Sequence, residues 1–473
     1  MIFNSIAFII FLPIVFIIYW SLRKKSLIYQ NLILLIASYI FYGWWDWRFL
    51  SLIAFSTVVD FIIGKKISSS ETKKEKKYFL LISLIVNLGL LGFFKYFNFF
   101  IESFKESIEL LGLTFDTWTL NIILPVGISF YTFQTLSYSI DVYKGKIKHT
   151  NDFISFAVFV SFFPQLVAGP IERASHLLPQ FLKKREFDYK TAITGISLIS
   201  YGFFKKIVIA DRLAIYVNSV FGDIGNANTI SLMFGIIFFS FQIYADFSGY
   251  SLIARGIAKL LGFDLMVNFN RPYLASSIPE FWRRWHISLS TWFRDYLYIP
   301  LGGNRVSTLR NYYNLIIVFL VSGLWHGANW TFVIWGALHG VYQVIYLLYK
   351  KILNPEDTKS KISQLINISS VYLLVTFAWI FFRANSFSQA LQYINKIIEL
   401  DFSINITQIT ANVGLLNLII SFSVIILLYL SYLLPKNLNF QNDRSHLIFN
   451  TIAILLIFLI GINGKAEFIY FQF

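Results

Sequence analysis

The chain of 473 residues contains no cysteine, and only 14% of its residues are charged. Without cysteine, the protein cannot form disulfides, thiolate metal sites, palmitoylated sites or a cysteine acyl-enzyme. The scarcity of charge, with 56% hydrophobic residues and a mean hydropathy of +0.63, is incompatible with a soluble globular protein of this length. The composition predicts an all-α polytopic membrane protein. We also expect no bound metal and no bound cofactor.

Acidic residues are fewer than basic ones, 25 against 40, which gives a net charge of +15. Such an excess is also found in nucleic-acid-binding proteins. Here, however, the basic residues fall mainly in short connections between apolar runs, as cytoplasmic loops do under the positive-inside rule. We therefore expect anionic lipid headgroups as the counterions, and no nucleic-acid partner.

Thirteen apolar runs approach or reach the roughly 20 residues needed to cross a bilayer. The first has no basic region before it and no cleavage site, so we expect it to remain as a helix. The early basic clusters alternate with an aromatic turn at 44–47, which predicts an outside N-terminus. The runs lie at 2–20, 28–45, 48–63, 78–97, 119–140, 153–168, 191–210, 229–247, 313–324, 330–349, 368–382, 412–434 and 446–463.

The run 153–168 breaks the alternation of loop charge, because basic residues lie on both sides of it. It is short and interrupted by Pro164 and by Gly169-Pro170, so we interpret it as a re-entrant element; an ordinary short span is the alternative. The resulting prediction is one membrane domain, 1–473, with about 11–13 helices. It divides into N-terminal helices (1–150), a core (151–350) and C-terminal helices (351–473).

The polar and aromatic stretch from Gly262 to Asn311 has no clear spanning run. Its large apolar residues recur at helical spacing, which predicts an amphipathic helix at the cytoplasmic interface. A basic interfacial anchor explains this pattern as well as a functional role does. The apolar positions are Phe281, Trp285, Leu289, Trp292, Phe293 and Tyr296, and the basic ones are Arg283, Arg284 and Arg294.

A histidine, His326, lies inside an apolar stretch that runs from Leu315 to Tyr349. An ionisable group in hydrocarbon costs about 2.5 kcal/mol or more unless it faces a cavity or a partner. A helix that enters near Tyr312 would carry His326 about 21 Å inward. Its small neighbours leave room for a substrate, with Trp325 as an apolar wall and Asn329 as a hydrogen-bond donor.

The alternative for His326 is a hydrogen bond to a neighbouring helix, with the glycines serving close packing. His339 fits this structural role better. Asp246 is a further ionisable group in an apolar run, and a histidine or an arginine is its expected partner. The roles of Asp246 and His339 stay open at this point.

A desolvated neutral imidazole accepts a proton from a hydroxyl near neutral pH. Arginines at the cytoplasmic rim, here Arg283, Arg284 and Arg294, are suited to hold the phosphates of an acyl-coenzyme A. Together these groups predict O-acyl transfer at a membrane.

Several motifs resemble the membrane-bound O-acyltransferase family, in its bacterial alginate O-acetyltransferase branch. The similarity covers nearly the whole chain. The motifs are FWRRWHISLSTWFRDYLYIPLGGNR at 281–305, GLWHGA at 323–328, PVGISFYTFQ at 125–134, FPQLVAGP at 163–170 and YADFSGY at 244–250.

The resemblance implies a helical bundle with re-entrant elements around a central funnel, and two catalytic histidines, His326 and His286. It implies an acyl donor that enters from the cytoplasm, which we expect to be acetyl-coenzyme A. From the residues themselves we expect Trp325, Asn329, the three arginines and Asp246 to bind the donor or substrate. The resemblance also implies an exported partner, an SGNH-type acetyltransferase like AlgJ or AlgX, that completes transfer to a polysaccharide. The outer stretch from Arg383 to Asn412 is too short to form such a domain itself.

The acceptor is open: an exported polysaccharide such as alginate, peptidoglycan, or teichoic acid that receives D-alanine. The LGGNR ending at 301–305 favours the acetyl branch. A bacterial inner-membrane location follows. Two other classes also accommodate intramembrane His and Asp, a transporter and a non-catalytic scaffold.

Overall fold

The computed structural model describes residues 1–114, 119–120, 122–353, 360–435, 438, 440–462 and 468–469. The regular elements in these ranges are all helices, as the composition predicts. Residues 121 and 463, which belong to two of the predicted apolar runs, lie outside the described residues.

Within these described ranges, twenty α-helices follow one another, and short 3₁₀ or π-helical segments join several of them. The first ten α-helices are α1 Ile6–Ser21, α2 Leu27–Asp46, α3 Leu50–Ser69, α4 Lys73–Leu91, α5 Phe97–Glu109, α6 Ile128–Tyr143, α7 Phe153–Ser161, α8 Ala174–Phe181, α9 Tyr189–Phe203 and α10 Asp211–Gly222. The others are α11 Thr229–Leu260, α12 Ile278–Arg284, α13 Ile287–Phe293, α14 Thr308–His326, α15 Trp330–Leu353, α16 Lys361–Arg383, α17 Phe387–Ile398, α18 Ile406–Ile409, α19 Leu415–Leu430 and α20 Asp443–Ile460. The π-helical segments are Gly92–Tyr96, Phe204–Ala210 and Arg294–Tyr298, and the 3₁₀ segments are Leu22–Lys24, Trp47–Phe49, Ile224–Asn226, Pro272–Leu274 and Ser431–Leu433.

Nine segments of the described chain are long and apolar enough to cross a membrane, judged by length and composition alone. The protein is therefore a multi-pass membrane protein. The number is lower than the expected 11–13 for two reasons. The predicted runs 119–140, 153–168 and 313–324 are not among the nine segments, and one of the nine segments contains both α2 and α3. The nine are Ile6–Lys24, Leu27–Ser69, Lys73–Glu109, Tyr189–Gly222, Thr229–Leu260, Trp330–Leu353, Lys361–Arg383, Leu415–Leu433 and Asp443–Ile460.

The chain divides into two compact units. The first comprises Met1–Ile196 and Ile253–Met266, and the second comprises Ser197–Leu252 and Val267–Phe473. These boundaries differ from the expected division at residues 150 and 350, because α9 and α11 each pass from one unit into the other.

The first unit contains the segment that the sequence identified as re-entrant. Helix α7 has nine residues, which span about 14 Å and so less than half of the hydrocarbon layer. Turns follow it, and their backbone is buried against protein: the Phe163 amide donates to Ser38 Oγ (3.1 Å). A side chain at Gly127, where φ is +80°, would meet the Leu166 carbonyl oxygen at 2.8 Å. This is the setting in which irregular backbone is tolerated at membrane depth.

In the second unit, α14 and α15 pack with their backbones in close approach, which only glycine allows. A Cβ atom on Gly323 would lie 2.2 Å from the Phe332 carbonyl oxygen, and one on Gly336 would lie 2.2 Å from that of Phe319. Small residues at such a crossing bring two helices together. The crossing fixes the end of α14, where His326 is located.

Candidate active site

The helix predicted across residues 281–296 is broken at His286. Helix α12 ends at Arg284, Trp285 is extended, and His286 adopts a left-handed conformation with φ 41° before α13 begins. The His286 side chain is completely buried within the protein. A residue other than glycine in this conformation costs about 1–3 kcal/mol and persists only where its surroundings enforce it.

Asn268 provides those surroundings. Its backbone carbonyl accepts from the Ile287 amide (2.9 Å), and its Oδ1 accepts from the Ser288 amide (3.2 Å) and from Ser288 Oγ (2.9 Å). The first amides of α13, which lack partners within the helix, are thereby satisfied. On its other side, Asn268 Nδ2 donates to Ser251 Oγ (3.2 Å) on α11. The break is thus held by one buried amide side chain.

The same oxygen defines the protonation state of His286, whose Nδ1 lies 3.1 Å from Asn268 Oδ1. The Ser288 amide is a donor only, so the Asn268 atom facing it must be the oxygen. His286 Nδ1 must then carry the hydrogen, and its Nε2 presents a lone pair. Burial lowers the pKa of His286 to about 3, so the ring is neutral at pH 7.

His326 is the last residue of α14, where the chain turns toward α15 through Gly327. Its ring centroid lies 6.4 Å from that of His286. Aromatic rings surround it: Trp325 and Trp335 at 5.0 Å, and Phe382 at 5.4 Å. The histidine is 4% exposed. The structure therefore brings the two predicted catalytic histidines into one buried aromatic cluster.

His339, which the resemblance did not implicate, belongs to the same cluster. Trp282 Nε1 donates to His339 Nδ1 (3.3 Å), and the ring of Trp335 lies 4.9 Å from His339. Because Trp335 also contacts His326, one indole separates the two histidines. A histidine that accepts from a buried indole has a structural contact, in line with the expectation for His339.

The residues predicted to bind the donor are placed differently from one another. Trp325 lies beside His286, with centroids 6.2 Å apart. Asn329 caps α15 by accepting from the Thr331 amide (2.9 Å), and its Nδ2 donates to the Asn385 carbonyl (3.1 Å). This gives Asn329 a structural part in positioning the turn after His326.

The three arginines are not inside the histidine cluster. Arg283 is exposed. Arg284 pairs with Glu280 (2.6 Å), and the exposed Arg294 pairs with the adjacent Asp295 (2.8 Å). Their placement suits a rim rather than the reacting centre.

Asp246 has a lysine as its partner, whereas the sequence led us to expect a histidine or an arginine. Lys206 Nζ lies 2.7 Å from Asp246 Oδ1 and 2.9 Å from Asp211 Oδ1, and all three residues are buried. Asp246 Oδ2 also accepts from the Ile469 amide (2.7 Å). The aspartate therefore belongs to an ion network between helices.

Sequence reasoning missed Asn268 and Lys206. Asn268 lies between apolar and aromatic residues, in the segment Met266–Phe269, and no spacing relates it to His286. Lys206 follows another lysine within an apolar run. This unusual pair could have indicated a buried ion pair, because a charged side chain at membrane depth needs a partner.

Two buried histidines in an aromatic setting, of which His286 is neutral, define a site that can accept a proton from a hydroxyl away from bulk water. Residues 145–387 match the model of the membrane-bound O-acyltransferase family, and this range contains both histidines. The chain belongs to that family, and it is a membrane O-acyltransferase. The transporter and scaffold interpretations are set aside accordingly.

Named relatives define the branch. The chain is 43% identical over 397 residues to the probable alginate O-acetylase AlgI of Pseudomonas aeruginosa, covering 82% of this chain and 73% of that protein. It is 38% identical over 436 residues to the peptidoglycan O-acetyltransferase of Helicobacter pylori, covering 85% and 80%. The teichoic acid D-alanyltransferase of Streptococcus thermophilus is 29% identical over 291 residues, covering 56% and 69%.

Proposed function

We propose that the protein moves an acetyl group from cytoplasmic acetyl-coenzyme A toward hydroxyls of a cell-envelope or exported polysaccharide. The observation that carries this proposal is the buried pair His286 and His326, 6.4 Å apart between centroids, inside the segment that matches the family. Relatives named for O-acetylation cover more of the chain than the one named for D-alanylation.

The histidines have separate roles in the proposed reaction. His326 takes the proton of the acceptor hydroxyl while the hydroxyl oxygen attacks the thioester carbonyl carbon of acetyl-coenzyme A. The carbon–sulfur bond then breaks, and the coenzyme A thiolate leaves and is protonated. His286, with its hydrogen fixed on Nδ1 by Asn268, offers the Nε2 lone pair to a hydrogen-bond donor on the substrate.

In this proposal, the arginines of the rim bind the phosphates of acetyl-coenzyme A. Arg283 is exposed, so its guanidinium is accessible to a phosphate, and Arg284 and Arg294 lie on the same short segment. Trp325 beside His286 supplies an apolar wall for the pantetheine arm. Asp246, paired with Lys206, supports the site rather than contacting the donor.

The proposed location is the bacterial inner membrane, with the N-terminus outside, as the alternation of basic loops predicts. The proposed partner is an exported SGNH-type acetyltransferase, AlgJ- or AlgX-like, that passes the acetyl group to the polymer. The relatives' names give two acceptor classes, alginate and peptidoglycan.

Mass spectrometry of purified envelope polymers tests the proposal. Wild-type cells, deletion cells and deletion cells that carry His326→Ala are compared for ester-linked acetyl and ester-linked D-alanine. We expect one envelope polymer to lose its acetyl esters both in the deletion cells and in the deletion cells that carry His326→Ala. Loss of D-alanyl esters instead would identify the D-alanyl alternative, and unchanged acetyl esters in the deletion strain would refute acetyl transfer.

The donor is tested separately in proteoliposomes that contain the full chain and labelled acetyl-coenzyme A. We expect release of free coenzyme A when the partner or a model hydroxyl acceptor is present, and a large reduction with His326→Ala. Equal release from wild-type and His326→Ala protein would remove acetyl-coenzyme A as the donor used at this site.

A further inference from the structure

Two adjacent lysines in the π-helical segment Phe204–Ala210 are buried, but only one has a carboxylate partner. Lys206 pairs with Asp211 and Asp246. Lys205 is 4% exposed and donates to Ser248 Oγ (3.1 Å), with its ammonium 4.8 Å from the Tyr201 ring and 4.7 Å from the Tyr244 ring. Within the described residues, no carboxylate forms an ion pair with it.

A second cation, Arg271, is directed at the same place. Its guanidinium donates to the Tyr432 carbonyl and lies 5.2 Å from the Tyr432 ring. It is close enough to Lys205, Tyr201 and Tyr244 to act on each of them electrostatically. Its backbone is left-handed, with φ 49°, so its position is enforced at a cost of about 1–3 kcal/mol.

These residues form one group, which we call the Lys205–Arg271 cluster: Lys205, Arg271, Tyr201, Tyr244, Ser431 and Tyr432. The hydroxyls of Tyr201 and Ser431 are 2.5 Å apart, and those of Tyr244 and Tyr432 interact. Rings lower the cost of burying a cation but supply no negative charge. Two cations at close range repel each other in a medium of low dielectric constant. An anion between them would remove that repulsion.

We propose that the Lys205–Arg271 cluster binds the phosphoryl group of an anionic phospholipid headgroup. The guanidinium offers paired N–H donors to two phosphoryl oxygens, and the ammonium adds a point charge. In the pair of Tyr244 and Tyr432, one hydroxyl hydrogen is left to donate to a remaining phosphoryl oxygen. Arg271 is only half-buried, so it is the part of the cluster that an incoming ligand reaches. This inference does not depend on acyl transfer.

Binding to the delipidated full chain in detergent, followed by native mass spectrometry, tests the site. The probes are dioleoyl-phosphatidylglycerol, dioleoyl-phosphatidylcholine and coenzyme A. We expect the anionic lipid to bind about tenfold tighter than the choline lipid, since the choline cation is repelled by the cluster. Displacement of the anionic lipid by coenzyme A would overturn the assignment to a lipid headgroup, and binding of the lipid without displacement would support it.

Three variants complete the test. Arg271→Gln and Lys205→Met should each weaken the preferred probe about tenfold. Lys350→Met is the matched control, because Lys350 also lies near a ring, 5.8 Å from that of Tyr346, but is exposed; it should bind as the wild type does. If Lys205→Met does not fold, binding to Arg271→Gln still tests the proposal, because Arg271 is only half-buried. Wild-type affinity and lipid preference in Arg271→Gln would overturn the proposal, as would a wild-type chain that prefers no probe.

Discussion

The two units each bury an aspartate, and they satisfy it in different ways. In the first unit, Asp60 Oδ1 accepts from Ser83 Oγ (2.5 Å) and Ser139 Oγ (2.6 Å), and Oδ2 accepts from Asn87 Nδ2 (2.7 Å). In the second unit, Asp246 pairs with a lysine that a second aspartate shares. The first arrangement uses neutral donors from α4 and α6 around α3, and the second uses full charges.

The difference between the two aspartates indicates which unit has a structural role and which has a functional one. A carboxylate held by hydroxyls and an amide joins three helices and needs no further group. The second unit adds a left-handed histidine and a left-handed arginine, each of which costs free energy that packing alone does not require. Backbone strain of this kind concentrates where a protein binds or transforms a substrate. The comparison assigns support to the Asp60 network and function to the second unit.

The largest expected effect is on the reaction itself. His326→Ala should lower the rate of acyl transfer by about 10²–10⁴-fold, the range for loss of a general base. The fold should survive, because removing the ring leaves the α14–α15 crossing at Gly323 and Gly336 intact. Transfer is measured with labelled donor in proteoliposomes, with elution from a sizing column as the folding control. If the variant is folded and transfers the acyl group at the wild-type rate, the assignment of catalysis to His326 in the second unit is wrong.

A change in the first unit should affect stability and spare the reaction. Asp60→Leu leaves Ser83, Ser139 and Asn87 without their shared acceptor, and should destabilise the protein by about 3 kcal/mol. Thermal unfolding in detergent measures the loss. The transfer rate per folded molecule should stay at the wild-type level. If transfer by the folded fraction fell in parallel with His326→Ala, the assignment of the Asp60 network to support alone would be wrong.

The matched control for this prediction is Asp46→Asn. Asp46 is paired with Arg48 near the exposed turn after α2, and surface ion pairs contribute little. Its midpoint of unfolding should remain close to that of the wild type. Equal destabilisation by both substitutions would show that any acidic residue in this unit matters, and not the buried network in particular.

A smaller loss of activity is expected from Asn268→Ala. His286 would lose the acceptor that fixes its hydrogen on Nδ1, and supporting residues of this kind change activity by about 10–100-fold. A purely structural role would lower the amount of folded protein but leave the pH profile unchanged. Asn268→Asp separates the two roles, because a carboxylate beside Nδ1 raises the pKa of His286.

The sign of the pH effect follows from the two pKa values. In the wild type, burial holds the pKa of His286 at about 3, so the ring stays neutral at any pH where activity is measured. With Asn268→Asp, the ring becomes protonated as the pH falls through the raised pKa. Transfer should therefore decline on the acidic side in this variant and not in the wild type. Superimposable profiles would show that Asn268 does not control the proton on His286.

How much the sequence predicts depends on whether a feature is local. The helical architecture and the short element near Pro164 follow from apolar run lengths and interrupting residues. The depth of His326 in the membrane stays a prediction. The break at His286 does not, because the apolar spacing continues through it and the left-handed conformation is enforced by Asn268 from another segment. The partner of Asp246 is hidden for the same reason, since Lys206 lies on a different helix.

The smallest effect is expected from His339→Phe. The substitution keeps the aromatic contacts with Trp335 and Phe319 but removes the acceptor for Trp282 Nε1, which costs about 1 kcal/mol. Because Trp335 lies between His339 and His326, transfer should fall less than tenfold, while the unfolding midpoint falls slightly. A loss of transfer as large as that of His326→Ala would make His339 a third functional histidine. The indole of Trp335 would then connect the two rings rather than separate the reacting site from its support.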